Sequence, residues 1–318
     1  DRRQGGLTKE ATSAMSPYKI DLNTWRVDGF MKNGYVFDAD LGTSIGIITS
    51  ASYHNQQNTY GPRQWNVAQT NAYLNAIFQT SFDDSATDLW DDHHHNLSAG
   101  LSLNYDGYSE ELLLASNLSP LTYNLNHWEV TSGVFAEYTY TYKDKVTLLM
   151  GIREDYSTRY GFFTTPRMNI RYAPFEWWTL RGSIGFGYRS PNAIADNAAY
   201  LASNRMYYFN ADSLAQERSM NMGLSTIFYI PIGKRELQLS GEYYYTEFHD
   251  GVIADMDRSL HGITLYNMHD VDGARYFSHN WQVEATMEIL RGWTMTAAFR
   301  YTDVKQTTFN TATNEYQL

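Results

Sequence analysis

Along most of the chain apolar and polar residues alternate with a period of two. Trp25, Val27, Gly29 and Met31 fall on one face and Arg26, Asp28 and Lys32 on the other, which predicts a strand with one wet side. A tight turn, DADLG at 38–42, leads into Ile45, Ile47, Thr49, Ala51 and Tyr53, which oppose Gly46, Ser50, Ser52 and His54. A longer connection, QQNTYGPRQWN, precedes a third strand with Ala72, Leu74, Ala76 and Phe78 on one side and Asn71, Asn75 and Gln79 on the other. The segment DDSATDLWDDHHH joins it to a fourth, where Leu97, Ala99, Leu101, Leu103 and Tyr105 face away from Ser98, Gly100, Ser102, Asn104 and Asp106.

After a long connection at 110–126, Val134, Ala136, Tyr138, Tyr140 and Tyr142 begin the clearest hairpin. Lys143, Asp144 and Lys145 turn it, and Val146, Leu148, Met150 and Ile152 return. The design repeats three times more: 162–172 with Trp178 to Phe186, Met220 to Ile230 with ELQLSGEYYYTEF, and Phe277 to Met287 with Trp293 to Tyr301. Their tight ends are APFE, PIGKR and Arg291-Gly292, and two long excursions separate them, the first opening in the stretch 185–205 and the second at about 249–275. About twelve strands result, each about ten to fifteen residues long against the five or six usual in soluble sheets. No helical segment is predicted. Strands paired by short turns at one end and long loops at the other are the pattern of an all-β, transmembrane antiparallel β-barrel. A soluble sandwich or propeller has shorter strands and more even turns.

Composition agrees with this reading. Hydrophobic residues make up 43% of the chain, yet no run reaches the roughly 18 to 20 apolar residues of a membrane-spanning helix. The 26 Tyr, 8 Trp and 15 Phe suit a membrane interface or a surface for a planar or saccharide-like ligand. Trp177, Trp178 and Trp293 stand just after short turns, as an interfacial girdle requires. Absence of Cys excludes disulfides and zinc–thiolate sites. A net charge of -11 argues against a nucleic-acid partner, which needs a basic stripe. The first residues carry no apolar signal-peptide core, and neither end of the chain reads as a strand able to close a barrel.

The stretches GYRSPNAIADNAAYLASNR, SGVFAEYTYTYKDKVTLLMGIREDYSTRYGFFTTPRMNIRYAP and EYYYTEFHDGVI resemble the barrel of TonB-dependent outer-membrane receptors, particularly the Bacteroidota versions. Gly187, Arg189 and Pro191 occupy that family's G-x-R-x-P landmark, and Thr165, Pro166 and Arg167 its Thr-Pro-Arg strand. The resemblance implies that 1–318 is part of a 22-stranded barrel, with an N-terminal plug domain and the last strands lying outside this sequence. It further implies residence in the outer membrane of a Gram-negative bacterium and uptake of a scarce, bulky nutrient of the iron-siderophore, haem or cobalamin class. The partners it implies are outer-membrane lipid, the TonB-ExbB-ExbD complex acting through the plug, and a surface-exposed lipoprotein. It implies no enzyme activity and no cofactor. A non-transporting structural or adhesion barrel is the alternative, and an outer-membrane hydrolase a more distant one.

The hydrolase reading rests on Ser52 and His54, two apart on one strand face. That face also carries Gly46 and Ser50, with no third orienting group, and reads better as polar lining. Ser278 and His279 point to opposite faces. His93, His94 and His95 read as a solvated turn at the short-loop end, because three consecutive residues rarely converge on one metal. His261 and His269, on a predicted external loop beside Asp255, Asp257, Asp270 and Asp272, read as loop residues or as contacts for haem or a metal chelate. External aromatic and basic residues are the candidate substrate contacts: Tyr60, Arg63 and Trp65, then Tyr200, Asn204, Arg205, Tyr207 and Tyr208. Arg153, Asp155, Arg167, Arg171, Arg181 and Arg189, with Glu242 or Glu284, are expected to face the lumen, where charge is tolerated beside water or a plug. Gly185 and Gly187 should look inward as well, and 194–205 should lie outside.

Overall fold

The computed structural model describes residues 2–5, 18–82, 92–114, 121–203, 205–259 and 261–318. Its first half contains β1 (Arg2–Gly5), β2 (Lys19–Asp38), β3 (Thr43–Tyr60), β4 (Arg63–Ser81), β5 (His93–Leu114), β6 (Leu121–Asn124), β7 (His127–Tyr142), β8 (Val146–Ser157), β9 (Gly161–Thr164), β10 (Arg167–Phe175) and β11 (Trp178–Arg189). The second half contains β12 (Met206–Tyr208), β13 (Glu217–Ile232), β14 (Arg235–Asp250), β15 (Val252–Asp255), β16 (Gly262–Asn267), β17 (Tyr276–Leu290), β18 (Trp293–Gln306), β19 (Thr308–Asn310) and β20 (Glu315–Gln317). Twelve of these have nine or more residues, and they match the twelve predicted strands one for one.

The long strands lie side by side in chain order from β2 to β18 in a single sheet, antiparallel throughout. Tyr73 of β4 and Tyr188 of β11 line one cavity although four long strands separate them in the sheet, so the sheet curls. Among the described residues no helix is long and apolar enough to cross a membrane. The two sides of the sheet differ as the alternation requires. Leu101, Leu103, Val134, Ile152, Leu224, Trp281 and Phe299 are all exposed on the outer face, Leu101 by 62% and Phe299 by 68%. Such a band of large apolar side chains is unfavourable in water and favourable in lipid. Near the short turns, Phe175, Trp177, Trp178 and Phe228 form a stack of rings, the geometry of an interfacial aromatic belt.

At the short end, Lys143 and Asp144 both adopt positive φ (47° and 55°), the conformation of the two-residue turns that match strand twist. At the other end the strands outrun the membrane. β2 to β5 have 20, 18, 19 and 22 residues, about twice the 9–11 that a tilted strand needs to cross.

That excess corrects several local readings. QQNTYGPRQWN is not a long loop: β3 and β4 run to Tyr60 and Arg63 and meet at a turn through Gly61 and Pro62. Gly61 has φ 59°, and a Cβ there would collide with the ring of Tyr18. The connection expected at 110–126 is partly strand, since β5 continues to Leu114 and β6 pairs back on it. His93 to His95 belong to β5 and pair with β7, not to a turn. The chain opens with a short strand, β1, on the edge of β2. Among the described residues regular helix is present only as short 3-10 segments, the longest at Ala195–Ala202.

The register explains the missed extensions. It passes without a shift along β4 and β5, but the apolar side changes. In the membrane band Leu74, Phe78, Leu101 and Leu103 point out; beyond it Trp65, Val67, Leu112 and Leu114, on the opposite face, are buried. All the buried hydrophobic side chains among the described residues lie at this long-loop end. Leu101→Arg, in the middle of the outer band, should destabilise the folded protein in lipid vesicles by about 2–4 kcal/mol. Ser98→Lys, on the inner face of β5, should cost far less, as read by urea unfolding followed through heat-modifiable gel mobility.

Candidate functional site at the long-loop mouth

The mouth is built by two excursions folded over the strand tips. Arg189, the last residue of β11, donates from Nε to Glu217 Oε2 and from Nη1 to Asp196 Oδ1, both at 2.6 Å. Asp196 also accepts the amide of Asn192 (2.9 Å), and Asn192 Oδ1 accepts that of Ala195 (3.0 Å). One guanidinium thus clamps the start of the 190–216 excursion to the first residue of β13. Two charge-assisted partners raise the pKa of Arg189 still further above its ordinary range.

Beyond the clamp, β12 pairs in parallel with β16, and β16 with β15. Ile194, Leu201, Tyr207, Leu214, Ile263 and Leu265 pack with Trp65, Leu112 and Leu114 into one buried cluster. Asn267 fastens the far end, accepting the amide of Ala215 (2.7 Å) and donating to the carbonyl of Ser213 (2.9 Å). Asp255, wholly buried, accepts the amides of Asp257, Arg258 and Phe309, the last at 3.0 Å. The excursions therefore form a small folded layer with its own core.

Three cavities lie beneath and beside this layer. The largest, about 570 Å³, is lined by Tyr188, Arg189, Asp196, Tyr200, Phe248 and Tyr276, among others. A second, about 390 Å³, reaches Tyr73, Asp106, Tyr108, Glu129 and Arg153. A third, about 260 Å³, lies between the β5–β7 rim and the 190–216 excursion.

The expected contact residues separate into groups. Tyr200 lines the largest cavity. Tyr60, Arg63, Trp65 and Tyr207 are buried parts of the layer's core, not free loop residues. Trp65 Nε1 donates to Glu110 Oε1 (2.7 Å), and Tyr207 donates to the carbonyl of Asn197 (2.9 Å). Burial pushes the Tyr60 phenol up and the Arg63 guanidinium down. Arg205 joins the two excursions by donating to the carbonyl of Met256 (2.9 Å). Tyr208 is exposed, and Asn204 lies outside the described residues. His261 is exposed and takes part through its carbonyl, which accepts the amide of Met206. His269, also exposed, faces Asp250 at 2.9 Å and Asp270 at 3.5 Å.

Lower down, Arg153, Asp155, Arg167, Arg171, Arg181 and Arg189 share the inner face. Arg153 grips the fully buried Asp155 through two 2.6 Å bonds and adds a third to Ser102 Oγ. Gly133 makes room, since a Cβ there would overlap the Asp155 carboxylate. Arg167 pairs with Glu137, and Arg171 donates to the carbonyl of Asp144 (2.7 Å). Ser52 and His54 share this face but make no hydrogen bond to each other; they lie opposite Asp28 and Arg26 in the ladder. Among the described residues no group of three or more His, Cys, Asp or Glu is placed to hold a metal.

The sequence reading missed Glu110, because it lay in a predicted loop. Only 2% exposed and above the apolar band, its carboxyl is pushed by burial to about 7, against the opposing effects of the Trp65 and Asn192 amide and indole groups. The Asn192 Nδ2 is buried beside this carboxyl. The folded value lies above the ordinary 4.5, so the packing favours the neutral acid. Its contribution is full below about pH 4.5 and declines as the pH rises to about 7, by about 3 kcal/mol in total. Glu110→Gln should flatten this dependence, measured by hydrogen exchange at Trp65 and Leu112 across that range. Arg189→Gln should free the 190–216 excursion by about 1 kcal/mol, since the pairs it loses are partly exposed; limited proteolysis there should quicken.

Comparison with solved structures finds the same fold, at identities too low to speak to function. The siderophore receptor PirA from Pseudomonas aeruginosa aligns with 96% of this chain at 12% identity and a TM-score of 0.54. The FrpB iron transporter from Neisseria meningitidis aligns with 91% at 12% identity and a TM-score of 0.62. The Serratia marcescens hemophore receptor HasR, solved with HasA and heme, aligns with 91% at 11% identity and a TM-score of 0.56. The chain spans 62%, 44% and 56% of the lengths of these three proteins. Comparison with curated protein sequences gives no match. The family model described as TonB dependent receptor-like, beta-barrel, matches residues 3–318, a family of receptors and not of enzymes, and the chain belongs to it.

Proposed function

We propose that this chain is the barrel portion of an outer-membrane transporter of a Gram-negative bacterium, taking up a scarce, bulky nutrient of the ferric siderophore, haem or cobalamin class. The observation that carries the reading is the roofed mouth: a cavity of about 570 Å³, walled by tyrosines and the clamped Arg189, at the long-loop end of a sheet with an apolar outer face. Such a cavity joins aromatic walls to several charged and amide groups, which suits a large, polar ligand. The likeness to PirA, a siderophore receptor, to HasR, a hemophore receptor solved with its hemophore and heme, and to FrpB, an iron transporter, supports the nutrient class.

In this reading the ionic inner face meets a plug domain supplied by another part of a longer protein. Further strands pair with the outer edges of β1 and β18, completing a barrel of about 22 strands. TonB, ExbB and ExbD deliver the energy through that plug, and a surface lipoprotein is a further partner. The test is growth of a deletion strain with iron chelate, haem or cobalamin limiting in turn, restored by the full-length gene. Loss of growth on one of them is expected, with the protein in the outer-membrane fraction. Undiminished growth on all three would overturn the uptake reading.

A further inference from the structure

We infer that the cavity of about 260 Å³ between the β5–β7 rim and the 190–216 excursion is a subsite for a carboxylate-bearing part of the ligand, held by the guanidinium of Arg159. The inference rests on the proposed uptake function and gives the nutrient a charge class.

Among the described residues Arg153, Arg159 and Arg189 line the three cavities and Arg167 lines another lower in the sheet; all but Arg159 are neutralised. Arg153 is paired with Asp155, Arg167 with Glu137, and Arg189 with Glu217 and Asp196. Arg159 has no carboxylate within ion-pair distance among the described residues. Its one hydrogen bond is from Nη2 to the carbonyl of Ala211 (2.7 Å). A guanidinium carries five N–H donors in a planar fork, so most of its capacity is uncommitted. The residue lines both the 260 Å³ and the 390 Å³ cavities and therefore stands where they adjoin.

The surroundings hold this cation in place, and the two carboxylates that share the 390 Å³ cavity with it, Glu129 and Asp106, are bound by neutral donors and form no ion pair with it. Ser157 Oγ, fully buried, accepts the amides of Arg159 and Tyr160 and donates to Glu129 Oε1 (2.6 Å), fixing the turn that carries the guanidinium. Glu129 is thereby engaged with Ser157. Asp106 is engaged by Asn71, Gln69 and Asn104. Glu110 lines the cavity as a carboxyl that burial keeps largely neutral below about pH 7. His127 Nδ1 is taken by the carbonyl of Leu125, and burial pushes its imidazole down, so it adds no charge.

Two further features suit a carboxylate on an organic body. Asn192, whose buried amide lies beside the Glu110 carboxyl, lines the same cavities. Tyr123 and Phe209, with ring centroids 6.0 Å apart, give the cavity an apolar wall. A planar carboxylate matches the guanidinium fork in two parallel hydrogen bonds.

The test uses purified full-length receptor titrated calorimetrically with citrate as the carboxylate probe, and with inorganic phosphate in a parallel arm. Citrate should bind the wild type, and Arg159→Gln should weaken it roughly ten- to a hundredfold. Arg159→Lys, which keeps the charge and loses the fork, should fall between, while Arg181→Gln should leave binding unchanged. Heat-modifiable mobility verifies that each variant is folded. Equal citrate binding by wild type and Arg159→Gln, or none by the wild type, would overturn the subsite; phosphate binding as tight as citrate would overturn the carboxylate assignment. A growth defect in the deletion strain with citrate binding indifferent to Arg159 would sink the subsite alone. Arg159-dependent binding without any growth defect would sink the uptake reading alone.

Discussion

In hydrocarbon, a backbone N–H or C=O without a partner costs several kcal/mol, and a sheet can avoid that cost only by pairing every strand with its neighbours. The twelve long strands answer this constraint in chain order, each antiparallel to the next, so every interior strand has its ladder filled on both sides. Much else follows from it. Consecutive antiparallel neighbours need only short turns on one side, which is why Lys143 and Asp144 suffice to reverse the chain. Length is set by the membrane, and whatever exceeds that length must be accommodated at the mouth.

The mouth is where the molecule behaves like a water-soluble protein. Once β4 and β5 leave the lipid, the outer face meets water and the inner face meets the folded excursions, so the buried side changes while the backbone continues unbroken. Leu101 and Leu112 lie on the same strand and are both apolar, yet one is 62% exposed and the other fully buried. The hydrophobic effect acts on both: lipid covers the first, and the layer containing Leu201, Tyr207 and Ile263 covers the second.

Polar groups are arranged around that layer with different degrees of compensation. Arg189 and Arg153 hold partners on two or more sides and fasten structure. Arg63 and Asn58 are buried with side-chain atoms that find no partner, a cost that the packing of the layer must offset. Glu110 answers the same difficulty by favouring its neutral form. The cohesion of the mouth therefore draws on Glu110 and on the clamp at Arg189 together with the ties made by Arg205 and Asn267.

Period-two alternation was enough to place all twelve long strands, though not every connection between them, because the outer face of a membrane strand must be apolar at every second residue. It also put Arg153, Asp155, Arg167, Arg171, Arg181 and Arg189 on one face, since parity along a strand fixes the side. Parity cannot say what covers a face. Tyr60, Arg63 and Trp65 carry the composition of an exposed loop, and their burial depends on a layer contributed by residues more than a hundred positions later in the chain. For the same reason Glu110, Asn192, Arg159 and the cavities they border were invisible in the sequence: each depends on β5, the turn after β8 and the 190–216 excursion meeting in space. Local periodicity determined the strands, and only the tertiary structure decided which of their ends is a buried core.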